Sequence, residues 1–119
     1  MSFLPRPVTD HLYGIELDYR CEVAVLLGDT ETAAMLIEQI LPIRDQFAGT
    51  AGAAYATRPL AHALADLYRL LGEDRAAADH YALAERVALA WEAPHRVTEA
   101  RRAAVRLEAE RKRRRTLGV

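Results

Sequence analysis

The chain has one serine, one cysteine, one lysine and one tryptophan in 119 residues, and each scarcity narrows the chemistry open to it. The only serine, Ser2, has no histidine close by in sequence, which excludes a serine-based triad. Cys21 has no second cysteine with which to form an intramolecular disulfide. It stands beside Val23 and Ala24 in an apolar stretch and reads as a buried structural thiol. The four histidines form no HExxH and no tight cluster, and there is no CxxC pair, so no metal site is expected. A GxxxxGK[ST] phosphate loop is also missing. No run approaches the roughly 18 apolar residues that would span a bilayer. The opening MSFLPRPVTD lacks the charged and apolar regions of a signal peptide. The expectation is a cytoplasmic protein with no membrane partner, no cofactor and no catalytic residues.

Aromatics are few, and valine and isoleucine are sparse and do not alternate. Alanine and leucine dominate instead, which predicts an all-α protein with close helix–helix contacts. The length suits one domain. Residues 1–9, with two prolines, read as an extended lead-in. Thr9 or Asp10 caps a first helix running to about Leu27, with Leu12, Ile15, Leu17, Tyr19, Val23, Leu26 and Leu27 as its apolar surface. Gly28 stops it, and Asp29 or Thr30 caps a second helix carrying Ala33, Ala34, Leu36, Ile37, Ile40 and Leu41. Pro42 is expected to kink or loosen that helix. Residues 48–56 read as the main loop. A third helix begins near Thr57 to Pro59 and ends at Gly72. A fourth runs to about Trp91 with Ala77, Tyr81, Ala84, Val87, Ala88 and Trp91 as its buried stripe. A fifth opens at Pro94 with Val97, Ala100, Ala104 and Leu107 as a narrow stripe, and ends at the arginine run.

The series Leu64, Ala65, Tyr68, Gly72, Ala77, Tyr81, Ala84 resembles a tetratricopeptide (TPR) helical hairpin, and Gly28, Ala33, Ile37 and Ile40 repeat it faintly. The two glycines lie 44 residues apart, against about 34 in a regular TPR. The runs LLGDTETAAMLIEQILP, AGTAG, LADLYRLLGEDRAAADHYALAERVA and APHRVTEARR together resemble the carboxyl-terminal TPR-like region of large bacterial signalling ATPases. Those include LuxR-type regulators and proteins linked to adenylyl cyclase domains. The resemblance implies TPR-like antiparallel hairpins in an α–α superhelix over residues 10–110, and a role in holding partners within signalling or transcriptional control. It brings neither ATP binding nor sequence-specific DNA binding, because the phosphate loop and a separate helix-turn-helix domain are both missing.

On the resemblance, His62, Asp66 and Arg69 fall on the concave side, with Asp18 and Glu22 at corresponding positions of the first hairpin. Asp18, Glu22 and Asp66 then make an acidic groove for a basic protein or peptide partner. The competing reading is a solvated polar face with incidental charge pairs, since helical i,i+4 pairs are common.

Charge is unevenly spread. Residues 1–100 carry 8 arginines against 15 acidic residues, and residues 101–119 carry 8 basic against 2 acidic. Arg111, Lys112, Arg113, Arg114 and Arg115 form a basic tail over residues 111–119. Three readings stand: a frayed helix end suited to the dipole, sequence-independent nucleic-acid contact, or docking on an acidic surface, including a second copy of the chain. A homodimer through the fifth helix would cover its apolar stripe, with Trp91 as anchor. The function expected is a non-enzymatic protein-interaction or scaffold module. A nucleic-acid-associated regulator and a small-molecule sensor with a pocket among helices one, three and five are the alternatives.

Overall fold

A computed structural model describes residues 6–46 and 58–117, and side chains from Gly14 onward. The described residues form five α-helices and no β-strand: α1 (Arg6–Leu27), α2 (Thr30–Ile40), α3 (Leu60–Leu70), α4 (Asp74–Ala90) and α5 (Pro94–Thr116). The loop expected over residues 48–56 lies outside the described residues.

Local chemistry sets the hairpin turns. Gly28 and Gly72 adopt φ of +66° and +80°, a region that costs any residue with a Cβ. After Gly28, the Asp29 carboxylate accepts hydrogen bonds from the Thr32 amide at 3.1 Å and the Thr32 hydroxyl at 2.7 Å, capping α2. These bonds hold its pKa below the usual carboxylate value. Pro42 ends α2 rather than kinking it, since the chain tightens into a 3₁₀ turn at Leu41–Ile43. Pro94 occupies the first turn of α5, where its missing amide hydrogen does no harm.

Two other boundaries differ from expectation. Helix α1 begins at Arg6, inside the stretch read as extended. Helix α5 continues through the arginine run to Thr116, so residues 111–116 are helix rather than a separate tail. Arginine is a good helix former, and cations suit the last turn of a helix.

Among the described residues the core has three clusters of buried residues. Leu17, Cys21 and Ala24 of α1 pack with Ala33, Leu36, Ile37 and Ile40 of α2 and with Leu60, Ala63, Leu64 and Leu67 of α3. Alanines make the other contacts: Ala61 clusters with Ala84 and Ala100, and Ala65 with Ala77, Tyr81, Ala103 and Leu107. These sets run in opposite chain directions on α3 and α4, so α4 folds back on α3. They run in the same direction on α3 and α5, so those two helices are parallel.

Burial corrects the reading of α1. Of its expected apolar surface, Leu17 is buried and Val23 half-buried, while Ile15, Tyr19, Leu26 and Leu27 are exposed. As the end helix, α1 is covered on one side only, and Cys21 and Ala24 fill that side. Tyr19, Val23 and Leu27 instead line a cleft with Met35 and Leu36 of α2. Trp91, expected on the buried stripe of α4, is exposed, because the helix ends at Ala90 just before it. Of the expected α5 stripe, Val97, Ala100 and Leu107 are buried against the chain's own helices and Ala104 is half-buried, with Ala103 buried in its place. The reason given for a homodimer through α5 therefore falls away.

Candidate functional site

The site is built on an ion-pair network that ties α1 to α3 and α3 to α4. Arg58, just before α3, donates from Nε to Asp18 Oδ1 of α1 at 2.9 Å. It donates from Nη1 to Asp66 Oδ2 at 3.1 Å. The other oxygen of Asp66 accepts the Tyr81 hydroxyl of α4 at 2.5 Å. Burial opposes the charge of Arg58, yet the two carboxylates outweigh it and its pKa rises. For Asp18 the balance falls the other way. Burial raises its pKa more than Arg58 lowers it. The Tyr81 hydroxyl is pushed up by burial and by Asp66, so it stays a hydrogen-bond donor. The His62 ring meets the Tyr81 ring edge-on, with centroids 5.3 Å apart. Its Nε2 is 3.9 Å from Asp66 Oδ1, beyond hydrogen-bond range. Burial lowers the His62 pKa more than Asp66 raises it, which keeps the ring neutral at pH 7.

A groove of about 350 Å³ opens over this network, with α3 as its floor and α1 and α5 as its walls. Arg58 and His62 form the floor, and Glu22 stands on the α1 wall. The α5 wall carries Arg96, Glu99, Arg102 and Arg106. These four recur at helical spacing beside the buried stripe of α5. Arg96 donates to Glu99 at 2.7 Å, and its Nε is buried without a hydrogen-bond partner. Arg102, Arg106 and Glu22 are exposed and have no charged partner among the described residues.

The acidic groove expected from Asp18, Glu22 and Asp66 is therefore corrected. Asp18 and Asp66 spend their charge on Arg58, and of the three only Glu22 lines the opening. His62 is in the groove. Arg69 lies outside its lining, two turns further along α3 from His62, where it pairs with Glu110 of α5. The groove residues not singled out from the sequence are Arg58, Arg96, Glu99, Arg102 and Arg106. A polar stripe at 96, 99, 102 and 106 was the available signal, hidden in the general arginine richness of the segment.

The basic segment is partly spent on the chain itself. Arg114 pairs with Asp74 at the start of α4, and Arg111 reaches Glu108 at 3.5 Å. Arg115 lies 3.9 Å from Glu108. Lys112 and Arg113 are exposed without a partner among the described residues. His80 is half-buried, with Nδ1 2.8 Å from the Ala76 carbonyl and its ring beside Tyr68. Cys21 is fully buried, and burial pushes its thiol up to about 12, far from the thiolate a nucleophile needs.

Among the described residues there is no group of three histidine, cysteine or acidic side chains placed to hold a metal. No described helix is long and apolar enough to cross a membrane. No protein family, characterised protein or solved structure is detectably similar to the chain.

Proposed function

We propose that the chain is a non-enzymatic protein-interaction module of the TPR-like class, which holds a segment of a partner protein in the groove between α1, α3 and α5. The observation that carries this reading is the pairing of a fixed floor with unsatisfied walls. The floor is cross-linked through Arg58, Asp18, Asp66 and Tyr81. The walls hold out Glu22, Arg102 and Arg106, which have no charged partner among the described residues. A rigid base carrying free charged groups suits recognition, because little is spent on ordering the receptor when a partner arrives. The sequence resemblance adds a setting, bacterial signalling or transcriptional control in the cytoplasm, and the same setting is proposed here. The tail reading has less support, since three of its five cations already have carboxylates nearby. Among the described residues the groove lining also has no phenylalanine, tyrosine or tryptophan on which bases could stack.

The test is selection of binders from a random-peptide display library, followed by amide chemical-shift mapping with the selected peptides. Shifts centred on Glu22, His62, Arg102 and Arg106 are expected. Peptides that map to another face, or a library that yields no binder, would overturn the proposal.

A further inference from the structure

The two walls of the groove differ in sign. On α5, Arg96, Arg102 and Arg106 face a single acid, Glu99. On α1 the lining residue is Glu22, with Asp18 below it already bound to Arg58. Net charge therefore says little about the occupant, and the arrangement says more. Arg102 and Arg106 are one helical turn apart, about 6 Å along the axis. In an extended peptide, every second side chain points the same way and recurs at about 6.6 Å. The intervening side chains point to the opposite side. A strand laid along the groove can thus present acids to Arg102 and Arg106 while its alternate residues face Glu22.

Resting on the proposed interaction role, we infer that the occupant is an extended segment of alternating charge, acid–base–acid, with its acids on α5 and its base against Glu22. Arg96 to Arg106 spans about 15 Å, the length of four or five extended residues. That length favours a linear segment over a compact anion. The neutral His62 ring on the floor can donate and accept, which suits the peptide backbone passing above it. An acid at every position would place like charge against Glu22, and a basic run would do so against Arg102 and Arg106.

The experiment measures fluorescence anisotropy of three labelled pentapeptides at low salt: alternating Glu-Lys-Glu-Lys-Glu, the composition-matched block Glu-Glu-Glu-Lys-Lys, and all-Glu. The alternating peptide is expected to bind about tenfold tighter than the block peptide, as two oriented charge-assisted contacts allow. The double variant Arg102→Ala/Arg106→Ala should lose that binding, and Glu22→Lys should transfer the preference to the all-Glu peptide. These side chains are exposed and have no charged partner among the described residues, so circular dichroism of the variants should match the parent. Equal binding of block and alternating peptides, or tightest binding of all-Glu to the parent, would overturn the alternation. Indifference to Arg102 and Arg106, or equal displacement of the alternating peptide by a short single-stranded DNA, would overturn it too. If none of the three peptides binds while display-selected peptides of another chemistry still map to the groove, this inference fails and the interaction role stands. If no selected peptide maps there, both fail.

Discussion

Arg58 and Asp18 are forty residues apart in sequence and joined by a 2.9 Å hydrogen bond across the α1–α3 interface. Their side chains are 13% and 15% exposed, so the pair is mostly out of water. Its net worth is small, because desolvation offsets much of the attraction, but breaking it is costly. Arg58→Met leaves Asp18 and Asp66 facing each other without a cation. A loss of about 3 kcal/mol is expected from that uncompensated charge. Urea denaturation at neutral pH measures it. A loss no larger than that of a surface arginine such as Arg86 would show that the network does not hold the hairpins together.

Much of the fold was legible because its signals are local. Gly28, Gly72, Asp29 and Pro94 each act within a turn of their own position, and the helices begin and end around them. The all-helical class followed from alanine and leucine in the same way. The groove was less legible because it depends on how the helices dock. Asp18 and Asp66 look like free surface acids until Arg58 is seen to reach both. The basic run looked like a tail because composition gives no hint that Asp74 waits beside Arg114. The apolar residues of α1 were overcounted for a related reason. Periodicity identifies the apolar residues of an end helix and cannot say which of them find a neighbour.

Gly72 is the clearest case of a local requirement. A Cβ added there would meet nothing within 4 Å, so a substitution suffers from the backbone alone. Gly72→Ala is expected to cost about 1 kcal/mol, the penalty of a left-handed conformation for a residue with a Cβ. Gly72→Asn should cost less, because asparagine tolerates that region better. Thermal denaturation of the two variants checks the order. Equal, negligible losses would mean that the turn can relax away from φ of +80°.

Tyr81→Phe separates packing from hydrogen bonding. The ring is 1% exposed and stays wedged among Ala65, Ala77 and Leu107 in either form. Only the hydroxyl is lost, and with it the 2.5 Å bond to Asp66. Hydrogen bonds to charged groups contribute about 1.5–3 kcal/mol. Asp66 is partly open to water that can replace the hydroxyl, so a loss at the low end, about 1.5 kcal/mol, is expected. Equilibrium unfolding reads it. A Phe variant as stable as the parent would show that Asp66 needs Arg58 alone.

His62 makes the groove floor sensitive to acid. Its pKa in the fold lies below the ordinary 6.5, first because of burial and also through Arg58 and Arg96, with Asp66 and Glu99 pulling the other way. Between the folded and unfolded values the unfolded chain binds the extra proton. Stability held above about pH 6.5 is therefore lost as pH falls through the folded pKa. Asp18 acts in the opposite sense and lower down. Its raised folded pKa means that the fold gains on protonation as pH falls toward 3.8, so it cannot produce the loss assigned to His62. His62→Gln removes the titrating ring and keeps a polar side chain at the floor. The parent should lose thermal stability between about pH 7.5 and pH 5.5, and the Gln variant should lose clearly less. Parallel curves would place the acid sensitivity elsewhere. They would also mean that the His62 ring accepts a proton in the fold as readily as in the unfolded chain, which would remove the neutral floor on which the peptide backbone is proposed to lie.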